Sequence, residues 1–200
     1  MPESTGECAK PQRRSIGARR NPATEAAILD AAGDLLREKG VHGLTMEAVA
    51  RRAQAGKATL YKWWPSCGAL LIAVYERSKG AHQHSDRGNL VDTIAEFYRF
   101  VFAFWQTPEG QVFRLIIAEA QSDKDVAEAL EGYRLERLAA LSEAVGWAQA
   151  RGELREGVEP DVLADTIMAA AWLRLLTDRL TTDPHRLARD VVSGWIVEKQ

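Results

Sequence analysis

The chain has 200 residues, 46% of them hydrophobic and 27% charged, which is room for one large domain or two small ones and excludes a disordered tail or a collagen-like fibre. Its formal charge of −2 splits unevenly at Pro65: residues 1–65 hold eleven Lys/Arg against seven Asp/Glu, and residues 66–200 hold fifteen against twenty-one, so a basic head stands on an acidic body and only the head suits a polyanion. Two cysteines, Cys8 and Cys67, are too few for a disulfide scaffold or a structural zinc site, and no cofactor is implied.

Apolar residues recur at three- and four-residue steps with no bounded period-two alternation, which predicts an all-α protein. Residues 1–20 lack an apolar face and carry Arg13, Arg14, Arg19 and Arg20, as expected of a flexible basic arm. No apolar core follows these arginines, so no secretory signal is expected and the expected location is cytoplasmic. A first helix begins at Asn21-Pro22, where Asn caps and Pro is pre-set for the first helical position, buries Ile28, Ala31, Ala32, Leu35 and Leu36, and stops at Gly40. Thr45 caps a short second helix to about Ala53, Gln54-Ala55-Gly56 makes a tight turn, and a third helix runs from about Lys57 to Trp63. Pro65 ends it, and Ser66 caps a fourth through Leu70, Leu71, Val74 and Tyr75. The polar stretch Ser78 to Asn89 reads as a boundary. Further helices are expected at about Leu90 to Gln106, Glu109 to Gln121, Lys124 to Arg151, Pro160 to Leu180 and Pro184 to Glu198. Even the most apolar run, Ala169 to Leu176, is broken by Arg174, so no membrane span is expected.

The segment Thr45 to Pro65 has the physics of a helix-turn-helix. Val49, Ala50, Ala53 and Leu60 can fill the junction with the first helix, leaving Lys57, Ala58, Thr59, Tyr61 and Lys62 outward on the third. A helix fits the major groove of B-form DNA; lysine and tyrosine suit phosphate oxygens, and threonine suits a base edge or a thymine methyl. The same pattern also describes a helical corner with a solvated face.

Gly56-Lys-Ala-Thr-Leu-Tyr-Lys-Trp-Trp-Pro-Ser66, preceded by Thr45-Met-Glu-Ala-Val-Ala and Glu38-Lys39-Gly40, closely resembles the signature of the TetR family of transcriptional regulators over about Ala23 to Tyr75. Trp63-Trp64 before Pro65-Ser66 looks like the branch in which two tryptophans replace the more usual Tyr-Phe. The resemblance implies a helix-turn-helix head over residues 21–65, a connecting helix over 66–80, and a larger body over 81–200 that dimerises and encloses an effector pocket. It further implies transcription controlled by ligand-driven release from double-stranded operator DNA; no catalytic activity is expected, since the sequence offers no metal cluster, phosphate-cradling Gly loop or nucleophile elbow. Carried over, Thr45 is a phosphate-contacting cap, Lys57, Ala58 and Thr59 start the recognition helix, and Tyr61 and Lys62 clamp the backbone. Cys67 stands where the family commonly has a phosphate-holding Lys.

Trp64 is expected to pack between the third and fourth helices, with Trp63 reaching the DNA backbone through its ring N–H. Arg19 and Arg20 of the arm are expected to follow phosphates or a narrow minor groove. Cys67, in a helical first turn, has a thiol pKa that the dipole would lower, although a passive small residue is the preferred reading. His82, His84 and Asp86 read as a solvated loop in preference to a metal site.

In the body, Phe97, Tyr98, Phe100, Val101, Phe102, Phe104 and Trp105 surround one helix on every side, so it fills a core or lines a cavity. The expected lining of an effector pocket is Phe97, Val101, Phe104, Trp105, Phe113, Trp147, Met168 and Trp172 with Ile116, and the candidate polar tethers are Arg114, Glu119 and Gln121. The last two helices are the expected partner surface, through Ile167, Ala170, Ala171, Arg174 and Leu175 and through Leu187, Val191, Val192 and Trp195. The expected protein is a homodimeric repressor released from a palindromic operator by a small apolar ligand. The rival is a helical small-molecule binding protein or enzyme whose head is only structural.

Overall fold

The computed structural model describes residues 21–80 and 85–197. Its helices are α1 (Pro22–Lys39), α2 (Met46–Arg52), α3 (Lys57–Trp63), α4 (Cys67–Lys79), α5 (Leu90–Trp105), α6 (Pro108–Glu119), α7 (Lys124–Ala150), α8 (Pro160–Leu176) and α9 (Pro184–Val192), with a 3-10 turn at Val41–Gly43. The protein is all-α, and none of these helices is long and apolar enough to cross a membrane. The basic arm, with Arg13, Arg14, Arg19 and Arg20, lies outside the described residues.

Side-chain caps fix where the helices start. Asn21 Oδ1 accepts from the Ala23 amide at 3.0 Å, Thr45 Oγ1 from Ala48 at 3.2 Å, Ser66 Oγ from Ala69 at 3.1 Å and Asp123 Oδ1 from Val126 at 3.0 Å, each satisfying an amide the helix leaves unpaired. Gly40, at φ +70°, closes α1 as expected. Between α2 and α3, however, the left-handed residue is Gln54, at φ +51°, while Gly56 is extended at φ −68°. The Ala55 amide reaches back to the Ala50 carbonyl at 3.0 Å, so the turn closes as a Schellman-type cap on Gln54 and Gly56 only leads into α3.

Two helices are shorter than their periodicity suggests. α8 stops at Leu176, not Leu180, because Asp178 turns left-handed at φ +56° and the Arg179 amide bonds back to Arg174 O at 2.8 Å; Leu180 folds back into the core. α9 stops at Val192 instead of running to Glu198. Beyond Ser193-Gly194 the chain extends and pairs with the α7–α8 connection, where Leu154 bridges Ile196 and Val197 N donates to Glu153 O at 2.8 Å.

The core is continuous from head to body. α1, α2 and α3 converge on Ile28, Val49 and Leu60, all fully buried. α5 is central to the body, burying Leu90, Ile94, Tyr98, Val101, Phe102 and Trp105 against its neighbours, and the Tyr98 hydroxyl donates to the Ile167 carbonyl of α8 at 3.0 Å. The residues expected at a partner surface prove to be mostly intrachain core: Ile167, Ala171, Leu175, Leu187 and Val192 are at most 3% exposed, and Ala170, Arg174, Val191 and Trp195 are half-buried. α8 is apolar around most of its circumference, so its sequence does not reveal which stripe faces inward. The outward stripe is Val162, Ala169, Leu173 and Leu176.

Candidate nucleic-acid interface and effector cavity

The outer face of α3 presents Lys57, Ala58, Tyr61 and Lys62 to solvent, with Thr59 half-buried at its edge; Leu60 between them is fully buried and anchors the helix to the head. Thr45 is exposed at the start of α2 while its hydroxyl caps that helix. The electrostatics of this face are partly committed within the head. Lys57 Nζ pairs with Glu47 Oε1 at 3.1 Å, and Arg52 grips Glu38 through two bonds of 2.9 and 2.7 Å. The Glu38 carboxyl is held below its ordinary range by its bonds to Arg52. The Glu47 carboxyl is also lowered, first by a bond to its own amide and then by Lys57. Such exposed pairs are weak and can open toward phosphate. Among the described residues, Lys62 and Arg51 are exposed cations with no carboxylate at ion-pair distance. Arg51, on α2, is not marked by the sequence, because nothing in its local pattern separates it from a solvated helix charge.

Trp64 is 5% exposed and packs edge-on to the half-buried Trp63 with ring centroids 5.9 Å apart, as expected for Trp64. At Cys67 the helix end does not activate the thiol, in keeping with the preferred reading of a passive small residue. Its thiol pKa is raised, not lowered, because burial and the acidic neighbours Asp123, Asp125 and Glu47 outweigh the helix end. Its Sγ donates to the Leu44 carbonyl at 3.1 Å, tying the segment that leads into α2 to the first turn of α4. His82 and His84 lie outside the described residues, and no group of three metal-ligating side chains occurs among those described.

α4 then runs about 20 Å into the body, where its last turns help to line a cavity. The lining is Tyr75 and Lys79 of α4, Phe97, Phe100, Val101 and Trp105 of α5, Tyr133 and Arg137 of α7, and Met168 and Trp172 of α8. These walls bound about 500 Å³ of space including the open mouth, of which about 40 Å³ is free interior, enough for a few waters; a larger guest must move side chains. Three aromatic rings brace the wall, with Phe113 stacked on Tyr75 at 4.6 Å and on Trp105 at 5.9 Å. At the polar end Lys79 Nζ donates to the Tyr133 hydroxyl at 2.6 Å, and the Trp105 ring N–H donates to the Tyr75 hydroxyl at 2.9 Å. Burial, with Arg137 nearby, pulls the Lys79 ammonium down to about 8, and burial pushes the Tyr75 phenol up to about 12 and the Tyr133 phenol further.

Of the residues expected at this pocket, Phe97, Val101, Trp105, Met168 and Trp172 are brought together, and Phe113 backs the wall without lining it. Phe104 does not line it; its ring lies against Tyr75 at 5.6 Å. Trp147 does not line it either, because it stands ten residues beyond Arg137 on α7, roughly 15 Å along the helix. The expected tethers are engaged elsewhere. Arg114 pairs with Asp178 at 3.1 Å, Glu119 faces His42 at 3.5 Å, and Gln121 donates to Ile117 O at 3.0 Å. The polar residues present, Lys79, Tyr133 and Arg137, carry no local signal of a pocket; they meet because α4 and α7 cross.

A three-helix head with an exposed recognition helix, joined by one continuous helix to a helical body with an aromatic cavity, defines a helix-turn-helix transcriptional regulator. Residues 28–74 match the family described as bacterial regulatory proteins, tetR family, and residues 84–193 match the tetracyclin repressor-like C-terminal domain. The chain is 32% identical over 166 residues to the HTH-type transcriptional regulator YdeS of Bacillus subtilis, covering 80% of this chain and 82% of that protein. It is 27% identical over 172 residues to the HTH-type transcriptional regulator AqdR of Rhodococcus erythropolis, covering 84% and 83%. Among solved structures, the TetR family transcription regulator SCO0332 superposes with a TM-score of 0.68 at 32% identity, covering 86% of this chain and 97% of that one. The chain belongs to the TetR family of transcriptional regulators.

Proposed function

We propose that the chain is a homodimeric repressor without catalytic activity, in which residues 21–65 bind a palindromic operator, 66–80 transmit, and 81–200 dimerise and bind a small apolar effector that opposes DNA binding. The observation that carries the reading is the continuity of α4, whose Cys67 end holds the segment leading into α2 while its Tyr75 and Lys79 end lines the cavity. Lys57, Ala58 and Thr59 enter the major groove; Thr45, Tyr61, Lys62 and the Trp63 ring N–H hold phosphates; Arg19 and Arg20 add contacts from the arm. Trp63-Trp64-Pro65-Ser66 is the basis for assigning the chain to the double-tryptophan branch of the family. A second copy covers the outward stripe of α8, where Val162, Ala169, Leu173 and Leu176 follow one another at steps of seven, four and three residues, a spacing that keeps them on one face and suits a two-fold helix pair. A guest wedged between α4, α5, α7 and α8 repositions α4, and so changes the separation of two heads that must meet half-sites about 34 Å apart.

The test is operator binding against salt. For about six to ten phosphate contacts, affinity falls roughly a thousandfold or more between 50 and 200 mM salt. Tyr61→Ala with Lys62→Ala weakens specific and non-specific duplexes alike, whereas Thr59→Ala acts chiefly on the operator. Unchanged affinity in all of these variants overturns the assignment of the head.

A further inference from the structure

The cavity has an uneven chemical make-up. Its aromatic and aliphatic walls end in two cations, Lys79 and Arg137, and among the described residues no carboxylate lines it. Among the described residues the direct contacts of Lys79 Nζ are with neutral groups: it donates to the Tyr133 phenol at 2.6 Å and lies over the Tyr133 and Tyr75 rings at 4.8 and 5.6 Å. Among the described residues no carboxylate stands within ion-pair distance of it. Arg137 lies over the same Tyr133 ring at 5.6 Å, and its acidic neighbours are loose, Glu136 at 3.7 Å and Glu76 at 4.0 Å. Its Nε is buried without a hydrogen-bond partner among the described residues. The Nε atoms of Arg114 and Arg174 are likewise unpartnered, but neither residue lines the cavity.

Two like charges brought together beside an apolar wall are costly, and an unfilled guanidinium N–H adds to that cost. An anion relieves both, since a planar carboxylate can accept from guanidinium and ammonium together through charge-assisted bonds. A neutral guest leaves the cations as they are. A cationic guest adds a third positive charge.

We propose that the effector is a hydrophobic anion, an aromatic or alkyl body bearing a carboxylate or a head group of like charge and size, with the head held between Lys79 and Arg137 and the body among Phe97, Phe100, Trp105 and Trp172. This rests on the cavity being the effector site. It also gives that site a means of action, because the anion bridges α4 to α7 at the far end of the helix that carries the head. The depressed Lys79 ammonium supports the assignment: its charge is destabilised by burial and by Arg137, with only Glu76 opposing, and a bound carboxylate restores it.

The experiment titrates the full-length protein, by tryptophan quenching, with matched series of naphthalene, biphenyl and C8–C12 alkyl compounds, each as carboxylate, primary amide and ammonium. The carboxylates are expected to bind about tenfold or more tighter than their amides, and the ammonium compounds weakest. Lys79→Met removes the acid-over-amide preference and Lys79→Arg keeps it; Arg137→Gln provides the same test should Lys79→Met fail to fold by circular dichroism. If amides bind as tightly as acids, or the preference survives both Lys79→Met and Arg137→Gln, and Trp172→Ala still abolishes binding, the anion proposal is overturned and the cavity stands. If no series binds, or binding ignores Trp172→Ala and Phe97→Ala, both the proposal and the effector cavity are overturned.

Discussion

Gly68 gives a sharp test of how head and body are joined. It is the second residue of α4 and is buried against the first turn of α7. A Cβ there would lie 2.5 Å from the Asp125 carbonyl oxygen and 2.7 Å from the Val126 Cα, both backbone atoms. Ordinary contact begins at 3.4 Å, so in Gly68→Ala the two helices must separate by about 0.9 Å at this point, and no flexible side chain can absorb the shift. Overpacking of this kind costs up to about 3 kcal/mol, and the helix-propensity gain of alanine over glycine returns up to about 1 kcal/mol. The net loss is about 2 kcal/mol, or about 4–8 °C in Tm for a chain of this size. Gly146→Ala is the control: that glycine is inside α7, and a Cβ added to it would meet nothing within 4 Å, so it should gain about 0.5–1 kcal/mol. Both variants are melted against wild type by circular dichroism at one protein concentration, since association shifts Tm. Gly68→Ala melting at or above the wild type would refute the close α4–α7 contact and, with it, the transmission path through α4.

Lys79 makes stability depend on pH in the alkaline range. Its folded-state pKa is lowered from 10.5 to about 8 by burial and Arg137, against the opposing Glu76, with the Tyr75 and Tyr133 rings also facing it. The folded state therefore disfavours the proton that the unfolded chain keeps up to 10.5, and Lys79 destabilises the fold below about pH 8. Relative to Lys79→Met, the wild type should gain stability as pH rises from about 8 toward 10.5, read from denaturant midpoints at a series of pH values; a constant difference would mean an unperturbed lysine. At the outward stripe of α8, Leu173→Glu places a charge at a side chain that is 47% exposed in the single chain. It should leave the monomer folded and raise the dimer dissociation constant about a hundredfold or more, as hot-spot losses do; sedimentation showing an intact dimer would move the interface away from α8.

The head was legible in the sequence because its signals are local. Asn21, Thr45 and Ser66 cap amides two or three residues away, Gly40 turns the chain by its own backbone freedom, and the alternation of buried Leu60 with exposed Lys57, Tyr61 and Lys62 follows from helical geometry alone. The tight turn falls at Gln54-Ala55-Gly56 as expected, with Gln54 as its left-handed residue and Gly56 extended. The aromatic density of α5 was enough to place it at the centre of the body.

The polar end of the cavity was decided by tertiary structure. Lys79 and Tyr133 are 54 residues apart in the chain yet 2.6 Å apart in space; in sequence Lys79 falls at the start of the polar stretch that reads as a boundary, and nothing local marks Arg137 within its helix. Trp147 is drawn toward the pocket by its residue type and excluded by its height on α7. On α8, Leu175 and Leu176 are adjacent and chemically identical, yet one is fully buried and the other 49% exposed. Period and composition determine that such a helix is covered on most sides; which stripe meets its own chain depends on how the other helices dock, and that information is spread over residues far away along the sequence.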